Sequence, residues 1–129
     1  MNPFETEGAV SWTEFAVEDL DKAVKFCEET FGWTLNNEKM EDGTDYYVFT
    51  PKGESEPMGG IWRVSEQGAP YPSTLSYITV KNYGETMTKV TAAGGQVLKE
   101  VEIPSVGKLA IFQPKGAPVM AFIQYFPKS

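Results

Sequence analysis

The strongest constraint on this chain is that it repeats itself. Residues 10–53 align with residues 73–116 at one uninterrupted offset of 63. The offset pairs Val17 with Val80, Gly32 with Gly95, Leu35 with Leu98, Phe49 with Phe112, and Pro51-Lys52-Gly53 with Pro114-Lys115-Gly116. Seven identities are few for such a span, so the order of local patterns carries the argument.

Ser11–Val17 reads as a strand. Leu20, Ala23, Val24, Cys27 and Phe31 then follow at the spacing of a helix with one buried stripe. Asp19 suits the helix N-cap and Gly32 the left-handed residue that ends it. Strand-like segments follow at 33–40, 46–50 and 58–64, the first two separated by the turn signal Glu41-Asp42-Gly43. The order recurs: a strand at Leu75–Val80, an N-cap at Asn82, and a helix stripe of Tyr83, Thr86, Met87 and Val90. Gly94-Gly95 ends it, and strands follow at 96–103, 108–113 and 119–126. The expectation is an α+β chain, one domain over 1–129 built from tandem βαβββ modules at about 8–64 and 73–127, joined by a linker at 65–72. Beyond Gly53 the offset is expected to slip by one, pairing Pro57-Met58 with Val119-Met120.

Composition removes whole classes of function. Eleven basic residues against eighteen acidic ones leave a formal charge of −7, the wrong sign for nucleic acid or an anionic membrane. No apolar run approaches the roughly 20 residues that span a bilayer, and the start MNPFETEGAV lacks the basic-then-apolar pattern of an export signal. Cys27 stands alone, so no internal disulfide forms and a cytoplasmic location is expected. There is no histidine. That excludes Ser-His-Asp and Cys-His catalysis, His-ligated zinc and the two-His-one-carboxylate iron site. Acid–base work at neutral pH then falls to a carboxylate, lysine, tyrosine or the thiol.

The chain resembles the vicinal oxygen chelate superfamily, the glyoxalase/bleomycin resistance protein/dioxygenase family. The resemblance rests on the run Phe15-Ala16-Val17-Glu18-Asp19-Leu20-Asp21-Lys22-Ala23-Val24-Lys25-Phe26, on Phe31-Gly32-Trp33 and on Gly59-Gly60-Ile61. In the second half it rests on Ala92-Ala93-Gly94-Gly95, Ile103-Pro104-Ser105-Val106-Gly107 and Phe112-Gln113-Pro114-Lys115-Gly116. It implies a paired-sheet cup of the glyoxalase/bleomycin-resistance type, a small-molecule ligand and a homodimer. In metal-dependent members the ligands come from the first and fourth strands of each module. Here those positions carry Trp12, Met58 or a neighbour, Leu75 and Met120, none with an imidazole or carboxylate donor. The expectation is a scaffold without its metal and without a cofactor.

Alternation along strands sorts the candidates. If Trp12 faces the cup, so do Glu14 and Ala16, with Phe15 and Val17 under the first helix. The same parity turns Leu75, Tyr77 and Thr79 inward, with Ile78 and Val80 under the second helix. Met58, Gly60 and Trp62, and Met120, Phe122 and Gln124, are expected to face inward from the fourth strands. One of Tyr46 and Tyr47 joins them, and the pattern leaves open which. Such a wall either binds a flat, partly aromatic molecule or simply fills with its own rings. Glu14 is the candidate acid/base, with Tyr77 beside it, for a lyase or isomerase acting on a carbonyl compound. Cys27 reads as core, Arg63 as an exposed strand end and the acidic clusters as solvated faces.

Overall fold

A computed structural model describes residues 1–65 and 69–127. The element order is β1 (Val10–Val17), α1 (Leu20–Phe31), β2 (Thr34–Asn37), β3 (Tyr46–Thr50), β4 (Gly59–Arg63), β5 (Ser73–Thr79), α2 (Tyr83–Ala92), β6 (Gln96–Ile103), β7 (Gly107–Gln113) and β8 (Met120–Tyr125). This is α+β, with βαβββ occurring twice. The chain forms two compact units, one of residues 12–74 and one of residues 1–11 with 75–129. Of the expected linker 65–72, residues 66–68 lie outside the described residues. Neither helix is long and apolar enough to cross a membrane.

In the unit of residues 12–74, β2 pairs antiparallel with β3, β3 antiparallel with β4, and β4 parallel with β1. The α1 stripe packs on one face of these strands. Leu20, Val24 and Ile61 are buried there, with Phe15, Val17, Ala23, Cys27, Trp33, Leu35 and Tyr47 around them. Burial pushes the Cys27 thiol up, as befits a core residue. Asp19 caps α1 by accepting the Lys22 N–H at 3.0 Å. The helix closes where Gly32, at φ 69°, donates its N–H to the Glu28 carbonyl. Asp19→Ala is expected to cost about 1 kcal/mol, read as a lowered urea midpoint with an unchanged slope.

The unit holding the second repeat mirrors this: β5 pairs parallel with β8, β8 antiparallel with β7, and β7 antiparallel with β6. Val80, Ala110, Phe112 and Phe122 are buried beneath Tyr83, Met87 and Val90 of α2, with Met120 packed against them. Asn82 accepts the Glu85 N–H at 2.9 Å and Gln124 Oε1 accepts the Tyr83 N–H at 2.6 Å, so α2 begins on two side-chain caps. The Tyr83 hydroxyl donates to Glu100 while Lys108 Nζ lies 4.3 Å above its ring. Desolvation and the Glu100 carboxylate both push that phenol up, so it stays protonated.

The first residues are built into this same unit. The Gly8 N–H donates to the Thr79 carbonyl and the Thr79 N–H to the Ala9 carbonyl, both at 2.8 Å. Glu7 Oε1 accepts the Lys81 N–H at 2.7 Å. Phe4 stands edge-on to Tyr125 at 5.2 Å, and Ser11 Oγ lies 2.7 Å from the Tyr125 hydroxyl.

Candidate functional site

The face of β3, β4 and β1 turned away from α1 carries the polar cluster of the first unit. The parallel register sets Glu14 beside Gly60 and Ala16 beside Trp62, while Phe15 beside Ile61 marks the helix side. Across the antiparallel pair Tyr46 opposes Trp62, so Tyr46 shares the face of Glu14, whereas Tyr47 packs into the α1 cluster. That settles the pair left open by the sequence pattern.

The three polar side chains form a chain of hydrogen bonds. Trp12 Nε1 donates to the Tyr46 hydroxyl at 2.9 Å, and that hydroxyl donates to Glu14 Oε2 at 2.6 Å. β4 lies between β1 and β3, so Tyr46 must reach across a strand to meet Glu14. Gly60 makes this possible: a Cβ there would sit 2.2 Å from Tyr46 Cζ and 2.3 Å from its hydroxyl oxygen. Trp62 closes one side, its ring 5.9 Å from that of Tyr46 and inclined at 69°. Tyr46 is buried, and Trp12, Glu14 and Trp62 are half-buried. Met58 lies just ahead of β4 and is 57% exposed.

The other candidates belong to the second unit. Tyr77 and Thr79 are buried on β5 and Leu75 is half-buried. The Thr79 hydroxyl donates to the Pro3 carbonyl at 2.7 Å, so it secures the first residues of the chain.

The fourth strand of this unit needs a correction. Met120, Phe122 and Gln124 do not share the face of Tyr77 and Thr79. The register sets Tyr77 beside Ala121, Ile78 beside Phe122 and Thr79 beside Ile123. Phe122 and Met120 therefore pack under α2, and Gln124 caps that helix. The cause is a slip of two residues rather than one. Phe49 and Ile61 are twelve positions apart, whereas their counterparts Phe112 and Phe122 are ten apart. An error of one residue turns every side chain of a strand over. The positions matching Gly60 and Trp62 are Ala121 and Ile123, both buried.

The donor chemistry at the positions where the resemblance implies metal ligands does not fit one. Trp12, Met58 and Leu75 offer an indole, a thioether and an alkyl group, poor partners for a hard or borderline divalent ion, and Met120 is turned away under α2. Among the described residues no three of Asp, Glu and Cys gather in a metal-holding group. The sequence pattern set Trp12, Glu14, Gly60 and Trp62 on one face and left Tyr46 undecided. The signal available for Tyr46 was the glycine pair within β4, since glycine inside a strand often marks a close approach by a neighbour.

Comparison with known proteins agrees with this architecture. Residues 9–120 match the family described as the Glyoxalase/Bleomycin resistance protein/Dioxygenase superfamily. The Mycobacterium tuberculosis protein called "Putative glyoxylase CFP32" is 34% identical over 112 residues, covering 85% of this chain and 42% of that protein. This chain thus spans less than half the length of that relative. A "Glyoxylase-like domain-containing protein" of Didymella fabae is 30% identical over 102 residues, covering 73% of this chain and 74% of that one. Among solved structures, methylmalonyl-CoA epimerase from M. tuberculosis has a TM-score of 0.69 at 15% identity, covering 93% of this chain and 89% of that one. The hypothetical protein BH1468 from Bacillus halodurans C-125 has a TM-score of 0.73 at 14% identity, covering 96% and 99%. At such identities these two structures share the fold alone. The family match over 9–120 identifies the chain as a member of the Glyoxalase/Bleomycin resistance protein/Dioxygenase superfamily.

Proposed function

We propose that this protein binds a small, flat, partly aromatic molecule without a metal, on the face of its first unit that carries Trp12, Glu14, Tyr46 and Trp62. The observation that supports this reading is the chain from Trp12 Nε1 through the Tyr46 hydroxyl to Glu14 Oε2. It ties two large rings together and holds a carboxylate at the Tyr46 hydroxyl. Aromatic walls with a few convergent polar atoms are the usual makeup of small-molecule sites. The test is quenching of the intrinsic tryptophan fluorescence by 4-hydroxybenzaldehyde, coumarin and 4-nitrophenol. Saturable quenching is expected, weakened up to about 10-fold by Trp62→Ala through lost stacking. Linear, non-saturating quenching by all three would sink the reading.

A second reading is favoured by the 2.6 Å contact between the Tyr46 hydroxyl and Glu14, which joins a carboxylate to a proton donor. In it the protein is a lyase or isomerase for a carbonyl-containing molecule, with Glu14 moving a proton next to the carbonyl. The same samples decide it in D2O: deuterium entering 2-oxobutyrate beside its carbonyl, lost in Glu14→Gln, favours catalysis over binding alone.

A further inference from the structure

We infer that the helix side of the second unit carries a ligand site of its own, for a flat bicyclic aromatic ring bearing an acid group. The site lies where the last turn of α2 meets β7. It is separate from the Glu14 face.

The two repeats differ at the ends of their helices. The left-handed glycine comes one residue sooner after the N-cap in the second repeat, at Gly94 (φ 84°) against Gly32 (φ 69°). Strand pairing agrees. Leu35 opposes Phe49, whereas Phe112 is opposed by Val97 and not by Leu98, where a bulge takes up the extra residue. The offset of 63 therefore drops by one between the helix end and this bulge. The structural counterparts of Phe31 and Trp33 are Ala93 and Gly95. Within the helices the offset of 63 holds, so Phe26 answers to Lys89.

Those replacements empty a space. In the first unit Phe26, Phe31, Trp33 and Phe49 form a row of rings, with successive centroids 6.0, 5.3 and 4.2 Å apart. Their counterparts Lys89, Ala93, Gly95 and Phe112 all line one cavity of about 290 Å³. Phe112 keeps its ring, while the two middle rings are reduced to a methyl group and a hydrogen. The chain cannot refill the gap from position 95. A Cβ there would lie 2.8 Å from Val90 Cγ1 and 2.9 Å from the Val90 carbonyl oxygen. What fits is what the first unit holds in the same place, a flat ring system laid against a phenylalanine.

Lys89, standing where the first unit has Phe26, sets the polarity. Thr86, the other polar residue of the lining, already donates its hydroxyl to the Asn82 carbonyl at 3.0 Å. Among the described residues Lys89 enters no ion pair. None of the residues lining the cavity is acidic. An ammonium at the edge of an apolar hollow selects an anion with an apolar body.

The experiment uses the full chain labelled with 15N and three probes that share one ring and differ in charge: indole-3-acetate, indole and tryptamine. Indole-3-acetate is expected to shift the Gly94, Gly95 and Phe112 amides saturably. It should bind about 3-fold more tightly than indole, the scale of an exposed ion pair, with tryptamine weakest. Ala93 is exposed, and Ala93→Phe returns a ring to the place that Phe31 fills in the first unit. That variant should lose the shifts with all three probes while the amide spectrum outside the cavity is kept. Should it fail to fold, Lys89→Met answers instead: indole binding is kept and the preference for the acid disappears. Tryptamine binding as tightly as indole-3-acetate overturns the site's anion selectivity, and with it the proposal. So does a folded Ala93→Phe protein that still binds. Shifts absent from Gly95 and Phe112, or confined to the Trp12 and Trp62 side chains of the other face, overturn it as well.

Discussion

Gly59→Ala should destabilise the protein by about 3 kcal/mol, at the upper end of what overpacking costs. A Cβ at this position would lie 1.9 Å from the Thr13 carbonyl oxygen and 2.7 Å from the Phe49 ring. Neither neighbour can step aside. The Thr13 N–H is bonded to the Met58 carbonyl at 3.2 Å, and Thr13 is the register partner of Gly59 in the parallel pair. The Phe49 ring is packed by Phe15 and Trp33, at 6.0 and 4.2 Å. The added methyl must part β1 from β4, and Gly60 beside Glu14 is the next rung of that ladder. Loss of stability should therefore come with loss of saturable tryptophan quenching. Urea denaturation followed by tryptophan emission gives the first number. An unchanged midpoint would mean that the two strands accommodate a side chain, contrary to the geometry.

The second large effect lies in the other unit. Phe122→Ala is expected to cost about 3–5 kcal/mol, the range for deleting a buried aromatic ring. Phe122 is 1% exposed, and its ring lies 5.1 Å from that of Tyr83 and 5.8 Å from that of Phe112. The cavity would open directly beneath the first turn of α2, so amide exchange in α2 should speed up more than that in α1. The outcome also bears on the assignment of faces. A residue lining a ligand wall would change affinity and leave α2 protection intact, whereas one beneath the helix does the reverse.

The parts of this fold legible in the sequence are those fixed by local chemistry. Asp19 and Asn82 cap their helices through their own side chains, as their positions ahead of the apolar stripes indicate. The faces of β1 followed from the same logic, because a cap two residues past the end of the strand pins Phe15 and Val17 against α1. β8 was not legible. Its register depends on the length of a loop rich in proline, glycine and charge, and loop length leaves no periodic trace. The two-residue difference between the repeats became visible only in the pairing of Ile78 with Phe122. Tyr46 and Tyr47 posed the same problem at smaller scale. Adjacent identical side chains give alternation nothing to sort, and the partner of Tyr46 lies across an intervening strand.

The placement of the first eleven residues has a consequence for how the protein is made. Ser11 is hydrogen-bonded to a residue 114 positions later, and Pro3, Glu7 and Gly8 are held by Thr79 and Lys81. Translation delivers these segments in the opposite order to that in which they can be satisfied. Residues 12–74 form a compact unit and can begin to close while the rest of the chain is still being synthesised. The opening segment has to wait, tethered through β1 to a unit already formed, until β8 emerges. Its docking is thus a late event of long loop closure, one that waits on β8.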